Sequence, residues 1–416
     1  MRIWILNHYA SPPDRPTGTR HYDFGRVLVG QGHEVTIFAS SFSHHSLREE
    51  RLERHQWMRA ELVDGVRFVW IRTMPYACNN HRRVLNMLSY GVGVVIAQQR
   101  FPRPDAVVGS SVHLAAAAAA YVIGRVRRTQ FAFEVRDLWP QQLIDMGELR
   151  ERGVTARMLQ VMERFLYRHA RVVISLLPGA TEYIMKAGIP GEKISYIPNG
   201  IADLPPAAAA VPGPLTVALL HRIGQLRQAG CLVAGYTGAH GLANGLNVLI
   251  EAARVLRDRE VDDIAFVLVG DGPAKAGCER LARDHNLRNV LFCQPLPKRE
   301  ISCVLQAMDV AVFPLRDGSV ARYGLSSNKL FDYFASGRPV VSCTGVSDDP
   351  VQASGGGIWV PAKSPEAVAN ALITLAAIGD AGRRAMGARG RRWVYEHHGV
   401  TGLAGQFLEA LVQAQR

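Results

Sequence analysis

Lys329 and Asp332 lie three residues apart in the segment RYGLSSNKLFDYFASGRPVV, residues 322 to 341, which is otherwise rich in apolar side chains. At the start of a helix, a lysine beside free backbone N–H groups forms an anion site, and phosphate is a common occupant. A carboxylate one turn further along can bind a pair of hydroxyls, as acidic residues bind ribose in dinucleotide folds. The pair predicts a phosphate-and-ribose site. The alternative is a capped surface helix with a solvated lysine and a carboxylate that only favours the helix dipole.

The local sequence supplies both ends of this helix. Ser327 is a suitable N-cap, and Gly337 and Pro339 are ordinary stop signals. Asn328 and Asp332 then stand at i and i+4, so they share one face near the positive end of the helix.

Other loops carry residues suited to ligand binding. The first strand is followed by a proline-stiffened loop that leads through Gly18 and Thr19 into a helix, without the G-x-G-x-x-G pattern of nicotinamide and flavin dehydrogenases. The strand FAFEV ends at the charged pair Arg136 and Asp137, for which an intramolecular salt bridge is the alternative. The segment GYTGAHG, residues 235 to 241, is a glycine-rich turn where backbone can approach a phosphate, although such turns are also common without a function.

The composition bounds the class of protein. A chain of 416 residues, with 48% hydrophobic and 20% charged residues, predicts two globular domains of roughly 200 residues each. No segment reaches the roughly 18 uninterrupted apolar residues of a membrane-spanning helix, and the N-terminal sequence is unlike a signal peptide. We therefore expect a cytoplasmic protein. The six cysteines have no zinc-binding spacing, so we expect reduced thiols and no metal site.

The formal net charge of +12 indicates an anionic partner. The basic residues are dispersed over predicted helices, without the interleaved aromatic residues of a single-strand groove or a nucleic-acid-binding motif. Nucleic acid is therefore the least favoured partner, behind phosphorylated substrates and an anionic membrane surface.

Short β-branched runs alternate with helical patterns in both halves of the chain, which is typical of doubly wound parallel sheets in an α/β protein. We expect an N-terminal domain over residues 1–205, a Pro- and Ala-rich linker with a possible short helix over 206–230, and a C-terminal domain over 231–393. Residues 394–416 are predicted to be helical.

The ordered series of motifs resembles glycosyltransferase family 4, specifically the bacterial subgroup that builds O-antigen and capsule and includes L-fucosamine transferases. The motifs are GTRHYDFGRVLVGQGHEVTIF, EVRDLWP, YIPNGI, GYTGAHGLANGLNVLIEAA, FVLVGDGP, DVAVFPL and SSNKLFDYFASGRPVV. The resemblance implies the GT-B fold, with two Rossmann-like doubly wound parallel-sheet domains facing across a cleft. It also implies transfer of a sugar from a nucleotide donor with retention of anomeric configuration.

The resemblance further implies where ligands bind. The C-terminal domain holds the nucleotide sugar, the N-terminal domain meets the acceptor, and the last helices, 394–416, cross back to the first domain. The implied donor-binding residues are Gly18, Thr19, Gly238, His240, Ser327, Asn328, Lys329 and Asp332. Arg136 and Asp137 stand where the family places residues that touch the transferred sugar, so they are the candidate catalytic pair.

Two departures from the family pattern bear on the donor. The first of two carboxylates, eight positions before Asp332, is replaced by Gly324, and a histidine common in the first domain is replaced by Arg136. A glycine leaves room for an N-acetyl group or a deoxygenated carbon, where a buried carboxylate would lose its hydrogen-bond donor. We therefore expect a UDP-linked N-acetylated amino sugar as donor, with N-acetyl-L-fucosamine the best single candidate.

The expected chemistry needs no bound cofactor beyond the nucleotide sugar. No Asp-x-Asp pair stands near a strand end, so helix N–H groups and Lys329 are expected to stabilise the leaving diphosphate without a metal. Retention is expected to follow same-face attack, because Gly324 supplies no nucleophilic carboxylate near the sugar.

The sequence leaves two alternatives, a GT-B sugar-nucleotide epimerase and a sugar-nucleotide-binding protein without catalysis. Residues 81–100, HRRVLNMLSYGVGVVIAQQR, combine an apolar stretch with basic flanks. They predict either a helix at an anionic membrane surface, where a polyprenyl-diphosphate-linked saccharide would be presented, or a core helix. The expected location is the inner face of the cell membrane, as a peripheral protein.

Overall fold

The structure is a computed structural model that describes residues 1–13, 18–44, 46–78, 81–111, 113–145, 147–202, 211–318, 323–346 and 348–414. The chain forms two compact units. The N-terminal unit comprises Met1–Asn199 with Val400–Arg416, and the C-terminal unit comprises Gly200–Gly399.

The N-terminal unit is built on an eight-stranded sheet. Its strands lie in the order β10-β9-β8-β7-β1-β2-β6-β5, all parallel except β5, which pairs antiparallel with β6. These strands are β1 (Arg2–Leu6), β2 (Glu34–Ser40), β5 (Met58–Val63), β6 (Val66–Ile71), β7 (Ala106–Ser111), β8 (Gln130–Val135), β9 (Val172–Ser175) and β10 (Ile194–Tyr196). A separate antiparallel pair joins β3 (Phe42–Ser43) and β4 (Arg48–Glu49). The central strands are apolar and buried along their length, as parallel strands covered on both faces must be.

Helices cover this sheet. They are α1 (Arg20–Gly30), α2 (His81–Ala97), α3 (Leu114–Arg127), α4 (Gln141–Asp145), α5 (Val154–His169), α6 (Ala180–Lys186) and α15 (Val400–Gln413). Helix α15 returns from the C-terminal unit and packs on α1, where the Phe24 and Phe407 ring centroids are 5.6 Å apart. Helix α3 contacts both α2 and α5, so these three form one continuous layer.

The C-terminal unit has a six-stranded, fully parallel sheet in the order β13-β12-β11-β14-β15-β16, which is the Rossmann order. The strands are β11 (Leu232–Thr237), β12 (Ile264–Val269), β13 (Val290–Cys293), β14 (Val310–Pro314), β15 (Val340–Thr344) and β16 (Gly357–Pro361). The helices are α7 (Pro214–Gln228), α8 (Asn247–Asp258), α9 (Lys275–Asp284), α10 (Lys298–Ala307), α11 (Asn328–Ala335), α12 (Pro350–Ser354), α13 (Pro365–Ala377) and α14 (Gly379–His398). Two buried apolar clusters lie in this unit, and they include the inward faces of α8 and α11.

The linker expected over 206–230 is largely a helix of the C-terminal unit. Pro214 begins α7 at a position where its missing N–H costs nothing, and Leu219 and Ile223 are buried. Glu300 on α10 accepts hydrogen bonds from Gly213 N at 2.9 Å and Thr216 Oγ1 at 2.6 Å, which fastens the start of α7. Residues 203–210 lie outside the described part of the chain.

The helices expected over 394–416 do not all belong to the N-terminal unit. Helix α14 begins at Gly379 and stays with the C-terminal unit to His398, and only α15 joins the N-terminal unit. In the described part of the chain, no helix is long and apolar enough to cross a membrane.

Candidate functional site

The C-terminal unit brings the predicted phosphate residues together at the point where its strand order reverses. Strands β11 and β14 are neighbours there, and the chain proceeds from them in opposite directions across the sheet. Gly238 follows β11 directly, and the loop after β14 leads to α11 and Lys329. Open α/β sheets bind their ligands outside the carboxyl ends of strands at such a switch point.

Lys329 is largely buried rather than solvated. Its amino group donates hydrogen bonds to Tyr236 Oη at 2.5 Å and to Asn244 Oδ1 at 3.1 Å. The same nitrogen is 4.3 Å from the centroid of the Tyr236 ring, within cation–π range. The surface-helix alternative for Lys329 is therefore wrong.

Burial lowers the pKa of Lys329 to about 7. Within the described residues, the amino group has no carboxylate partner. Burial disfavours the charged ammonium form when it has no partner. A bound anion supplies that partner and therefore stabilises the ammonium form.

Gly238 approaches Lys329 closely. A Cβ on Gly238 would lie 2.6 Å from Lys329 Cε, and the φ of +140° at Gly238 is one that other residues rarely adopt. The turn at Gly270 packs closely against Gly238, since a Cβ on Gly270 would lie 1.9 Å from Gly238 O. The glycine-rich turn thus lies directly over the lysine.

His240 is fully buried in this turn. Its backbone N–H donates to Asp271 O at 2.8 Å, and its carbonyl accepts from Ala274 N at 2.9 Å. Burial lowers the pKa of His240 to about 4, and the nearby Lys275 adds to this shift. Among the described residues, neither ring nitrogen has a hydrogen-bond partner, so the neutral imidazole has unused hydrogen-bonding capacity.

Asp332 forms an ion pair with Lys298, which begins α10. The Asp332 carboxylate is 16% exposed and the lysine 45%, so the pair lies at the surface of the site. Lys298 contacts Oδ2, which leaves the other oxygen for a further hydrogen bond.

Two of the predicted donor-binding residues, Ser327 and Asn328, open α11. Ser327 occupies the N-cap position, but its side chain makes no capping hydrogen bond. Its φ of −99° and ψ of 119° are extended, as the position requires, so the backbone prediction holds while the capping contact is absent. Asn328 is the first helical residue, and α11 ends at Ala335, just before Gly337.

The hydroxyl of Tyr333 fixes α11 against the end of β11. It donates to Thr237 O at 3.0 Å and accepts from Thr237 N at 2.8 Å, and its ring is completely buried. Because Tyr333 adjoins Asp332 in α11, this contact also holds the helix backbone at Asp332.

Gly324, at the position of the missing carboxylate, has a φ of +93°. Residues with a Cβ are strained in this region. The backbone of the loop is therefore suited to glycine at this position.

In the N-terminal unit, Thr19 occupies the N-cap position of α1. Its hydroxyl donates to Asp23 Oδ2 at 2.5 Å rather than to the backbone of the helix. Gly18 is exposed beside it. The structure thus places both residues at a helix start.

Arg136 and Asp137 follow the carboxyl end of β8. They make no ion pair with each other in the described part of the chain, so the salt-bridge alternative is wrong. Arg136 N donates to Ser111 Oγ at 3.3 Å, a contact between the ends of β8 and β7. Burial raises the pKa of Asp137, and the Arg136 charge opposes that shift.

A buried charge network supports this strand end. Glu134 accepts from Arg20 Nε at 2.9 Å and Ser110 Oγ at 2.6 Å, and its Oε2 lies 2.7 Å from His21 Nε2. Arg20 also donates to Ile197 O at 2.9 Å. The network therefore joins the start of α1 to strands β7 and β8.

A second polar cluster lies at the switch point of the N-terminal sheet, between β1 and β7. His8 Nδ1 is 2.9 Å from His113 Nε2, and both side chains are buried. Burial lowers the pKa of His113 to about 3, and Arg83 adds to the shift. Within the described residues, His113 Nδ1 and the buried Asn86 Oδ1 have no hydrogen-bond partner.

The sequence interpretation missed several of these residues. Tyr236 lies inside the GYTGAHG segment, Asn244 follows that segment by three residues, and Lys298 lies in another helix. Arg20 and Glu134 stand inside the motifs GTRHYDF and FEVRD, where a charge beside apolar residues was the available signal. The two histidines each follow a strand at the carboxyl edge, which is where ligand residues are expected.

Two family models match the chain. Residues 17–200 match the glycosyl transferase 4-like domain, and residues 232–377 match glycosyl transferases group 1. WcaI of Escherichia coli strain K12, assigned to colanic acid biosynthesis as a glycosyl transferase, is 24% identical over 70% of this chain and 71% of its own length.

Solved structures share the whole fold. Sucrose-phosphate synthase from Thermosynechococcus elongatus superposes with a TM-score of 0.71 at 17% identity, covering 99% of this chain and 98% of that one. HepE from Anabaena, solved in complex with UDP-glucose, gives a TM-score of 0.65 at 15% identity over 99% of this chain and 100% of its own. The two α/β units with parallel sheets are thus those of the GT-B fold, as the motifs predicted.

Proposed function

Because this chain belongs to the GT-B glycosyltransferases, we propose that it transfers a sugar from a UDP-linked donor to a polyprenyl-diphosphate-linked saccharide. The product would be a bacterial surface polysaccharide such as O-antigen or capsule. WcaI, a relative assigned to colanic acid biosynthesis, supports the class of product. HepE, which shares the fold, binds UDP-glucose and supports the class of donor.

The observation that carries the donor proposal is the position of Lys329 beneath the Gly238 turn. The lysine is a cation without a carboxylate partner in the described residues, and it lies at a switch point beside a helix N-terminus. These groups suit a diphosphate leaving group, whose charge they stabilise as the glycosidic bond breaks. Asp332, held by Tyr333 and paired with Lys298, supplies the oxygen for the ribose hydroxyls.

The proposed mechanism retains the anomeric configuration and requires no metal. The acceptor hydroxyl attacks from the face that the diphosphate leaves, and a departing phosphate oxygen takes its proton. Arg136 and Asp137, after the carboxyl end of β8, are the residues proposed to contact the transferred sugar. Lys329 and the α11 amides would do the electrostatic work that a cation does in metal-dependent transferases.

The proposed donor sugar is an N-acetylated amino sugar, with N-acetyl-L-fucosamine the leading candidate. Gly324 removes a charged acceptor, and its φ of +93° suits glycine in particular. A carboxylate against an acetamide methyl or a deoxygenated carbon would be desolvated without a hydrogen-bond donor.

The acceptor saccharide is proposed to meet the N-terminal unit at His8 and His113. These side chains lie at the carboxyl edge of the sheet, and the buried His113 Nδ1 has no hydrogen-bond partner among the described residues. The low pKa of His113 keeps the imidazole neutral at physiological pH, so it can donate or accept without a charge.

Helix α2 supports the membrane part of the proposal. One face of α2 buries Met87, Tyr90 and Val94, so this face packs in the core, as the core-helix alternative for residues 81–100 predicts. Its exposed residues between positions 84 and 96 are all apolar: Val84, Leu85, Leu88, Val92 and Ile96. Such a face, preceded by Arg82, suits the interface of an anionic bilayer, where the lipid-linked acceptor resides.

A donor panel tests the proposed function. The purified chain is offered UDP-N-acetyl-L-fucosamine, other UDP-N-acetylated sugars, UDP-glucose and GDP-mannose, with an undecaprenyl-diphosphate-linked N-acetylglucosamine acceptor. Transfer from an N-acetylated donor with retention, in the presence of a chelator, is expected. Efficient transfer from UDP-glucose or GDP-mannose alone would contradict the interpretation of Gly324.

The same assay separates the alternatives. An epimerase converts the donor when no acceptor is present, so a changed donor without acceptor would replace the transferase proposal. A binding protein without catalysis would take up UDP in calorimetry and transfer nothing to any acceptor.

A further inference from the structure

An open pocket of about 640 Å³ lies in the N-terminal unit at the edge of the sheet opposite to the His8 and His113 cluster. It is formed where strands β7 and β8 begin and where helices α3 and α5 end. Its basic lining residues are Arg103, Arg125, Arg128, His169 and Arg171. The only acidic residue in the lining, Asp105, already accepts a hydrogen bond from Arg2 N at 2.6 Å.

The arginines of this pocket are not neutralised. None of the four pairs with a carboxylate in the described part of the chain. Arg171 Nε donates to Ala414 O at 2.7 Å, and Arg103 donates to the Arg128 carbonyl. Neutral backbone oxygens thus orient two guanidinium groups while leaving their charge available for an anion.

The pocket opens onto an apolar surface. Tyr121, in its lining, packs edge-on against Phe165 at 5.0 Å between ring centroids, and Phe165 lies 4.0 Å from the His169 ring. Phe165 is the last of four exposed apolar residues on α5, after Val154, Met158 and Val161. Their spacing of i, i+4, i+7 and i+11 aligns them in one stripe along the helix.

A basic stripe runs beside the apolar one. Arg157, Arg164 and Arg168 are exposed on α5 with the spacing i, i+7 and i+11. Helix α3, which lies between α5 and α2, exposes Val122 and Val126. Across α2, α3 and α5 the only acidic residue is Glu163, and its side chain is buried.

This charge pattern bears on which ligand the pocket would accept. A layer with exposed apolar residues, basic neighbours and no exposed carboxylate complements an anionic bilayer. With this layer on a bilayer, the pocket at its end would lie at the depth of the lipid headgroups. Guanidinium groups in a fork arrangement are the usual ligands of phosphate.

We propose that the pocket bounded by Arg125, Arg128 and Arg171 binds the phosphate of an anionic phospholipid headgroup while the apolar stripe of α5 enters the bilayer interface. The proposal rests on the membrane association proposed above and adds a second, separate contact to that of α2. It fixes the α2–α3–α5 layer as the membrane-facing side of the N-terminal unit.

The test is co-sedimentation of the full chain with vesicles of phosphatidylcholine alone or with phosphatidylglycerol, without donor or acceptor. Arg125→Gln with Arg128→Gln should lower partitioning to phosphatidylglycerol vesicles at least about tenfold, since each basic residue near the surface contributes roughly 1 kcal/mol. Neither side chain bonds another described residue, so folding should be unaffected. Met158→Gln with Val161→Gln should also reduce binding, but equally for both lipid mixtures.

Matched controls use the C-terminal unit. Arg280→Gln with Arg283→Gln removes the same charge from exposed positions of α9, and Leu215→Gln with Val217→Gln removes exposed apolar side chains from α7. Both should partition like the unchanged chain. If the α9 and pocket variants lose vesicle binding equally, the loss is caused by the change in net charge and not by the pocket. That result would overturn the proposal.

Two further arms separate the possible failures. Calorimetry with inorganic phosphate should show no tight binding; saturation by free phosphate would assign the pocket to a soluble anion instead. If Arg82→Gln with Arg83→Gln abolishes vesicle binding while the pocket variants keep it, α2 remains the membrane contact and the pocket proposal falls. UDP binding by all variants reports separately on the transferase function.

Discussion

The amino group of Lys329 donates a hydrogen bond to the Tyr236 hydroxyl at 2.5 Å and lies 4.3 Å from the centroid of the same ring. Tyr236 in turn donates to Ala239 O at 2.7 Å, inside the glycine-rich turn. The aromatic ring therefore connects the cation at the start of α11 to the backbone of the turn. This arrangement stabilises the position of the ammonium without neutralising its charge.

Lys329→Met should weaken UDP binding by about 1.5–3 kcal/mol at pH 6.5, where the amino group is mostly protonated. Methionine keeps most of the buried aliphatic volume, so the loss reports the charge. Isothermal calorimetry measures it. Lys186→Met, at an exposed position of α6, is the control and should bind UDP normally. Unchanged affinity in the Lys329 variant would remove the basis of the donor site.

UDP binding should depend on pH through Lys329. Its pKa of about 7 in the free site should rise when a diphosphate binds, because the anion favours the charged form. Between pH 7 and the higher pKa of the complex, binding then requires proton uptake, so affinity falls as pH rises. Calorimetry at pH 8 in two buffers of different ionisation enthalpy measures the uptake. The Lys329→Met variant should lose it, and the absence of uptake in the unchanged chain would contradict this role.

Asp332→Asn should weaken UDP without weakening inorganic pyrophosphate, since the ribose contact and not the diphosphate contact is lost. The expected cost is about 1–3 kcal/mol. Lys298→Met is the companion variant, because it removes the ion-pair partner and leaves the carboxylate. A double-mutant cycle then separates the two. Equal weakening of UDP and pyrophosphate by Asp332→Asn would place the carboxylate elsewhere.

Glu134→Gln should destabilise the N-terminal unit by about 3–5 kcal/mol, because Arg20 would stay buried without its counter-ion. Burial opposes the ionisation of Glu134, but His21 and Arg20 outweigh it and hold its pKa well below the usual value. This contribution is therefore present above the pKa of the unfolded chain and is lost as pH falls through the folded pKa. Urea unfolding measures the effect, with Glu61→Gln, from the partly exposed pair with Arg59, as the control expected to change stability by at most about 1 kcal/mol.

His113→Phe should raise the KM for the acceptor while leaving UDP affinity unchanged. The ring volume is retained, but the hydrogen-bonding capacity of Nδ1 and the contact of Nε2 with His8 Nδ1 are both lost. Steady-state kinetics at saturating donor measure the change, and calorimetry with UDP provides the comparison. A fall in kcat alone, with the acceptor KM unchanged, would argue against acceptor binding at this cluster.

The sequence predicted what depends on local patterns. Apolar runs predict the parallel strands of both sheets. The glycine-rich turn follows a predicted strand directly, and Lys329 belongs to a Ser-Ser-Asn-Lys cluster at the start of a predicted helix, so both are candidates from short local motifs. The linker expected over 206–230 is largely a helix because local composition does not report burial against distant residues. Prolines and alanines resemble a linker in composition, yet Pro214 starts a helix whose burial depends on Leu219, Ile223 and the distant Glu300.

The partners of the site residues could not be predicted, because they come from distant parts of the chain. Tyr236 and Lys329 are 93 positions apart, and Lys298 and Asp332 are 34 apart. Their contacts depend on the order of strands in the sheet, which hydrophobic periodicity does not encode. Ser327 occupies the N-cap position without forming a side-chain hydrogen bond to the helix. An N-cap position permits that hydrogen bond but does not require it.

The backbone at Gly324 also bears on how donor preference can change over evolutionary time. A single codon change to glutamate would place a Cβ on a residue whose φ is +93°, so the strain would accompany the new carboxylate. The backbone φ at this position would have to change before a residue with a Cβ could stand there without strain. Ancestral reconstruction of this branch should therefore find loop substitutions together with the exchange of acid and glycine, rather than the exchange alone.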